Sequence, residues 1–274
     1  MLRSMYSGIS GMRGFQTKLD VIGNNIANVN TLGFKKGRVT FQDMMSQTTR
    51  GAQGATANRG GVNPMQVGLG SQVGSIDNVH TQGFRQSTGI GLDFAIEGNG
   101  MFLVQQGDTS YYTRAGNFYF DNDGNIVNTD GYYLQGLQPT EDGTEIGETE
   151  GRLNIPPTAQ SYSIAPDGTI NYIDEDGEPK VAGQILLANF SNPAGLEKVG
   201  SNLYLMTGNA GFTGLAVPDQ DGVGKIIEKA LEMSNVDLAE EFTEMIVSQR
   251  GFQANTRIIT TSDEILQELV NLKR

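Results

Sequence analysis

The amino-acid sequence predicts an α+β fold in which both termini form one discontinuous helical coiled-coil domain, with an antiparallel β domain inserted between them. Two observations lead to this prediction. Apolar residues recur at both ends of the chain with a period of about 3.5 residues, which is typical of helices that pack along their length. The middle contains short β-prone runs separated by glycine-containing turns, which are typical of antiparallel sheets.

The N-terminal helix is predicted from an apolar series that only Gln16 and Gly23 interrupt. Glycines at positions 8, 11, 14 and 23 weaken it, since each costs about 0.8–1 kcal/mol relative to alanine in a helix interior. We therefore expect this helix to need a packing partner. The apolar residues of the series are Leu2, Met5, Ile9, Met12, Leu19 and Ile26.

The C-terminal helix is predicted to begin at Ser234 or Asn235. Acidic residues follow in its opening turns, where they suit the positive end of the helix dipole. Its apolar series is Leu238, Phe242, Met245, Phe252, Ile259, Leu266 and Val270.

These two apolar faces are the expected subunit-packing surfaces. Two long faces in one chain can cover each other only in part, so the remainder needs other copies of the chain. Small residues let helices approach closely, and asparagine side chains can fix the register of packed helices. An ordinary helical hairpin within a monomer stays open as an alternative. The expected packing residues are Leu19, Ile22, Asn24, Asn25, Ile26 and Asn28 at one end, and Leu238, Phe242, Met245, Phe252, Ile259 and Leu266 at the other.

The chain between the helices changes character twice. Residues 46–75 are rich in Gly, Gln, Ser and Thr and show neither a helical nor a strand period. Strand-like runs follow, among them LDFAIE (92–97), MFLVQQ (101–106) and QILLANF (184–190). The predicted organisation is a helical polymerisation core over residues 1–44 and 225–274, an extended connector over 45–79 and an antiparallel β outer domain over 80–224.

The net charge of −12 is unevenly distributed. Residues 1–36 contain five basic residues and one acidic residue, whereas residues 80–224 contain five basic and nineteen acidic ones. The acidic middle argues against nucleic acid as a partner. No apolar run reaches the roughly 18 residues of a membrane span, so no membrane insertion is expected. The first residues lack the apolar segment of a cleaved secretory signal.

The sequence patterns that could support catalysis or metal binding are incomplete. DNDGN (121–125) and DEDGE (174–178) lack the Gly and Glu that a calcium loop needs at its sixth and twelfth positions, and are predicted to be hairpin turns. The single histidine, His80, has no Cys or second His near it in sequence, and the chain has no cysteine. We predict no catalytic residue, no cofactor, no metal and no enzymatic activity.

Four motifs carry a resemblance to a known family. LDVIGNNIANVNTLGFKK (19–36) resembles the N-terminal signature of the flagellar hook and basal-body rod proteins, and SNVDLAEEFTEMIVSQRGFQAN (234–255) resembles their C-terminal signature. LDFAIEGNGMF (92–102) and YTRAGNFYFDNDGNIV (112–127) are similar to segments of their β domain.

The resemblance implies a structural protein that self-associates into a helical tube, with terminal helices as the inner coiled-coil tube and the β domain as the outer wall. It implies export by the flagellar type III apparatus without a cleaved signal peptide. It also implies contacts with adjacent rod, hook-cap or hook–filament junction proteins.

Two members of the family are considered. A short hook protein of the Gram-positive type is favoured, since LVNLKR at the end and IGNNIAN near the start are more hook-like. A distal rod protein is the alternative, on chain length and the connector. A hook transmits motor torque while it bends, and a rod acts as a stiff drive shaft. From another class, a monomeric extracellular binding module would show helical termini and no polymers.

Overall fold

The computed structural model describes residues 2–55, 59–140 and 145–272. Two long helices, one near each terminus, flank a large antiparallel β region, so the α+β class is confirmed. The chain divides into two compact units. The helical unit comprises Met1–Ala27, Gly37–Asn78 and Asp237–Arg274, and the β unit comprises Asn28–Lys36 and Val79–Val236.

Two helices dominate the helical unit: α1 spans Leu2–Ala27 and α2 spans Leu238–Leu272. Asp237 caps α2, because its Oδ1 accepts a hydrogen bond of 2.8 Å from the backbone N–H of Ala239. Gly8 of α1 lies beside Ile259, and Lys18 pairs with Glu244. Residue numbers rise along one helix as they fall along the other, so the helices pack antiparallel.

A ribbon made of two successive antiparallel strand pairs completes the helical unit. Its four strands are β1 (Gly37–Asp43), β2 (Ser46–Arg50), β3 (Met65–Gly68) and β4 (Ser71–Asn78). β1 pairs antiparallel with β4, and β2 pairs antiparallel with β3. The ribbon reaches α1 where the Phe41 ring lies against Gly14 and Phe15. Every residue of β2 and β3 is exposed.

The β unit is built around one antiparallel sheet of 13 strands. The sheet contains β7 (Met101–Gln106), β8 (Thr109–Thr113), β9 (Tyr119–Phe120), β10 (Ile126–Val127), β11 (Tyr133–Pro139), β12 (Ile146–Arg152), β13 (Ser161–Ile164), β14 (Thr169–Ile173), β15 (Pro179–Ile185), β16 (Leu187–Phe190), β17 (Glu197–Gly200), β18 (Leu203–Leu205) and β19 (Phe212–Ala216). Its main path runs β13-β14-β15-β11-β7-β8-β18-β17.

Two smaller sheets lie beside it. The strands are β5 (Arg85–Ser87), β6 (Phe94–Glu97), β20 (Lys225–Glu228) and β21 (Ala230–Glu232). β20 pairs with β6, and β21 pairs with β5. Residues 225–232 were predicted to belong to the helical polymerisation core, but they contain the two strands β20 and β21, which pair with β6 and β5.

The core of the β unit is an aromatic and aliphatic cluster. The rings of Phe94, Phe102 and Phe118 lie with centroids 5.4–6.4 Å apart, and each ring is almost fully buried. Burial of three phenylalanines provides a large part of the hydrophobic stabilisation.

The two acidic stretches that resemble calcium loops are tight turns. The backbone N–H of Asp121 donates to Asn125 O at 2.9 Å, and that of Asp174 donates to Glu178 O at 3.1 Å. Among the described residues, no group of three or more His, Cys, Asp or Glu side chains is arranged to hold a metal ion. Within the same part of the chain, neither α1 nor α2 combines the length and hydropathy of a membrane-spanning helix.

Candidate subunit-packing site

The face of α2 that meets α1 repeats every seven residues and mixes two kinds of side chain. One set is small or polar, and its members Glu241, Ser248 and Ser262 are buried. The other set is apolar and half-buried. Residues seven apart lie on the same side of a helix. The polar set is Glu241, Ser248, Asn255 and Ser262, and the apolar set is Met245, Phe252, Ile259 and Leu266.

Glycines bring the two helices close together. A Cβ at Gly11 would lie 2.7 Å from Asn255 Nδ2, and a Cβ at Gly251 would lie 2.5 Å from the ring of Phe15. Both distances are shorter than a carbon contact permits. Glycine at these positions therefore gives room to the side chains of Asn255 and Phe15 between α1 and α2, and its cost in helix propensity is offset by packing.

Asn25 joins three parts of the helical unit. Its Nδ2 donates to Gly37 O at 2.9 Å and to Glu241 Oε2 at 3.2 Å, and its Oδ1 accepts from Gly37 N at 2.9 Å. The side chain is 2% exposed. Asn25 thus connects the last turn of α1 with the first residue of β1 and the first turn of α2.

The sequence-predicted residues of α1 occupy different environments. Ile22 is buried at 4% exposure, while Leu19 and Ile26 are half-buried. Asn24 is exposed and Asn28, just beyond the helix, is half-buried.

On α2 the predicted residues divide in the same way. Met245, Phe252, Ile259 and Leu266 are half-buried, and Ile259 lies beside Gly8 of α1, whereas Leu238 and Phe242 are 40% and 50% exposed. Their role in packing between copies stays a prediction. The small or polar set was missed, because only apolar residues were expected to pack on this face; its spacing of seven is the signal that the sequence carries.

Further apolar side chains of α2 remain exposed in a single chain. Leu238, Phe242 and Ile246 recur every four residues along its first turns. Ile258, Ile265, Leu269 and Leu272 form a second exposed group toward its end. α1 and the ribbon therefore leave part of the apolar surface of α2 uncovered. Such surface is characteristic of an interaction site.

The β unit contains a buried ion cluster centred on Glu232. Its fully buried carboxylate accepts hydrogen bonds from Lys35 Nζ at 2.6 Å, Arg114 Nη1 at 3.1 Å and the backbone N–H of Gly83 at 2.9 Å. Burial lowers the pKa of Lys35 and of Arg114, and the Glu232 carboxylate opposes both shifts. Lys35 and Arg114 share one carboxylate, so each of the three buried charges is stabilised only while the others are present.

Asn235 connects three of the four points at which the chain enters or leaves the β unit. Its Oδ1 accepts from Lys36 N at 2.8 Å, and its Nδ2 donates to Val79 O at 2.8 Å and to Thr81 Oγ1 at 2.9 Å. Lys36 O also accepts from Val79 N at 2.9 Å. The crossings at residues 36, 79 and 235 are therefore held side by side.

His80 lies next to this junction and is held in its neutral form. Both ring nitrogens are buried and lack a hydrogen-bond partner among the described residues. Burial, together with the positive charges of Lys35, Lys198 and Arg114, lowers the pKa of His80 to about 4. Its ring packs near Tyr204, with centroids 5.8 Å apart. This environment suits a packing role.

Comparison with known proteins gives one consistent result. Three family models match: Flagella basal body rod protein at residues 5–35, Flagellar hook protein FlgE/F/G D1 domain at 95–172 and Flagellar basal body rod FlgEFG protein C-terminal at 227–272. They cover both ends of the chain and much of its β region.

Full-length relatives agree with the family models. The chain is 56% identical to the flagellar basal-body rod protein FlgG of Bacillus subtilis over 275 residues, covering 100% of both chains. It is 37% identical to the FlgG of Caulobacter vibrioides over 277 residues, covering 99% of this chain and 100% of the other. It is 32% identical to the flagellar hook protein FlgE of Borreliella burgdorferi over 441 aligned residues, covering 100% of both.

Replacing Glu232 with glutamine should lower the free energy of unfolding by about 3–5 kcal/mol, because it leaves Lys35 and Arg114 buried without a counter-charge. The matched control is Glu228→Gln, which removes an exposed pair with Lys229 and should cost less than about 1 kcal/mol. Urea denaturation followed by tyrosine fluorescence measures both, since the chain has no tryptophan. Equal losses for the two variants would contradict the central role of Glu232.

Acidification should destabilise the protein through His80. The unfolded histidine binds a proton near pH 6.5 but the folded one only near pH 4, so stability is lost as the pH falls from 6.5 to about 4. Between pH 7 and pH 4.5 the wild type should lose about 2 kcal/mol more than His80→Gln. Denaturation curves at the two pH values test this, and parallel losses in both proteins would contradict it.

Proposed function

Because this chain belongs to the family of flagellar hook and basal-body rod proteins, we propose that it is an axial subunit that polymerises into a tube and transmits motor torque. The resemblance seen in the sequence is thereby confirmed. The observation that carries the proposal is the exposed apolar surface of α2, which one chain leaves without a cover.

Packing of α1 and α2 as coiled coils with other copies is the proposed means of polymerisation. The heptad spacing on α2 supports it, since a period of seven is the spacing at which helices pack along their length. Leu238 and Phe242 are 40% and 50% exposed, so they are available to helices of neighbouring subunits. Leu19 and Ile26 are half-buried and would complete their burial there.

The proposed division of labour follows the resemblance. The helices form the inner tube, and the acidic β unit forms the outer wall in contact with water. The family consists of structural proteins of the flagellum, so we propose no enzymatic activity and no cofactor. Export through the flagellar type III apparatus and contacts with adjacent axial proteins belong to the same proposal.

Chain length favours the rod within this proposal. The 56% identical rod protein aligns over 275 residues, nearly the length of this chain, whereas alignment with the hook protein of Borreliella burgdorferi extends over 441 positions. The hook remains the second candidate, since the hook relative is 32% identical and aligns with the whole chain.

The exposed ribbon fits a stiff shaft. A two-stranded ribbon has little stability of its own in water, and the exposed Met65 and Val67 give β3 apolar surface for a neighbour. We propose that β2 and β3 lie against adjacent subunits and resist bending of the polymer.

Phe242→Asp should abolish polymerisation, because it places a charge on the proposed inner interface. The monomer should stay folded, since Phe242 is half exposed in a single chain. Thr243→Asp, which changes an exposed residue of the same helix without loss of an apolar side chain, is the control. Negative-stain electron microscopy after concentration measures polymers, and circular dichroism measures folding.

Normal tubes from Phe242→Asp would refute the inner-interface role of this residue. A wild-type chain that stays monomeric at every concentration, with both helices formed, would instead support a binding module. Tubes from the wild type and their absence from Phe242→Asp alone would support the axial subunit, and straight rather than curved tubes would support the rod.

A further inference from the structure

An apolar groove runs along α1 on the side that the ribbon covers only in part. It has a volume of ≈ 580 Å³. Tyr6 and Ile9 of α1 form one wall, and Leu69 and Val73 of the ribbon side form the other. Arg3 and Arg13 are exposed at its rim, and neither makes an ion pair within the described chain. We call this feature the α1 groove.

The α2 of the same chain does not reach the α1 groove. Gly8, Gly11 and Phe15 are among the residues of α1 that contact α2. A helix turns by about 100° per residue, so Tyr6 and Arg13 lie on a different side of α1 from these three. Any helix that fills the groove must therefore come from another molecule.

The end of α2 has the complementary chemistry. Ile265, Leu269 and Leu272 are 43%, 49% and 82% exposed, and their spacing of four and three residues is that of an amphipathic helix that binds in a groove. Glu264 and Glu268 flank this stripe on one side, and both are exposed without an ion pair among the described residues.

We propose that the α1 groove of one chain binds the end of α2 from a second copy, with Ile265, Leu269 and Leu272 in the groove and Glu264 and Glu268 near Arg3 and Arg13. The lengths agree, since Arg3 to Arg13 spans about 15 Å of helix and Glu264 to Leu272 about 12 Å. This inference rests on the proposed function, and it identifies which two surfaces meet.

The first turns of α2 are a weaker candidate for the same groove. They also carry exposed apolar residues, Phe242 and Ile246 among them. Their carboxylates, however, are already engaged within the chain: Asp237 caps the helix, Glu241 accepts from Asn25 and Glu244 pairs with Lys18. They offer less negative charge to the two arginines.

Disulfide cross-linking between copies tests the proposal directly, because the chain contains no cysteine. Full-length Ile9→Cys and full-length Leu269→Cys are mixed, one of them isotopically labelled, concentrated until they assemble, and oxidised. Position 9 lies near the middle of the α1 groove and position 269 near the middle of the stripe, so the pair can meet whichever way the helix runs. The control replaces Leu269→Cys by Ile246→Cys, another exposed position of α2.

A disulfide between positions 9 and 269 of different chains, present in polymers and absent from dilute monomers, is the expected result. Polymers without this disulfide, or with the 9–246 disulfide in its place, would overturn the groove proposal and leave self-assembly intact. Failure of the wild type to assemble would overturn the proposed function, and the groove proposal with it.

Charge reversal provides a second measurement without cysteines. The pair Arg3→Glu with Arg13→Glu, and the pair Glu264→Arg with Glu268→Arg, should each raise the critical concentration for assembly about fivefold. Mixing the two double variants should restore contacts between them, and combining all four changes in one chain should restore assembly. Additive losses in the quadruple variant would overturn the proposal.

Discussion

The carboxylate of Glu232 is the interaction on which the organisation of the β unit most depends. It binds Lys35, which lies just before the chain leaves the β unit at Lys36, and Gly83, which lies just after the chain re-enters it at Val79. Glu232 itself lies just before the chain leaves the unit again at Val236. Gly33 N also donates to Glu232 O at 2.8 Å. A buried carboxylate that serves three segments and Arg114 is costly to desolvate, and its net benefit comes from the completeness of its partners. The positions of the three segments therefore depend on the same carboxylate.

In the helical unit, α1 and α2 pack closely, but part of the apolar surface of α2 stays exposed. Gly11 and Gly251 allow α1 and α2 to approach closely, and Asn25 fixes their register at one end. The contact uses only one side of α2 and leaves apolar residues such as Ile246 and Ile265 exposed. In an isolated chain these residues stay in contact with water, and their burial on association would lower the free energy.

The sequence predicted those helices and strands whose burial produces a regular pattern of apolar residues. MFLVQQ, which begins with four apolar residues, corresponds to β7 at Met101–Gln106, and the two long helices lie where the apolar period placed them. The ribbon was missed as strands because β2 and β3 are exposed on both sides, so no alternation of apolar and polar residues develops. β20 and β21 were missed because KIIEKALE has residues common in helices; pairing with β6 and β5 decides their conformation.

The site was predictable in part for the same reason. Ile22 and the half-buried residues Met245, Phe252, Ile259 and Leu266 carry an apolar signal. Ser248 and Ser262 are buried small residues, and Glu232 is one charged residue that follows Ala230 and Leu231. Their importance arises from partners far away in sequence, which spacing along the chain does not reveal.

The close approach of Val79 and Asn235, joined by a 2.8 Å hydrogen bond, bears on how such chains can vary in size. Because the entrance and the exit of the β unit are neighbours, residues added within its loops leave the path between the two helices unchanged. Growth of the domain is thereby uncoupled from the geometry of α1 and α2. The same connection can accommodate a β region of very different size, in keeping with the longer alignment to a hook protein. The junction allows the β unit to change in size while its entrance and exit stay together.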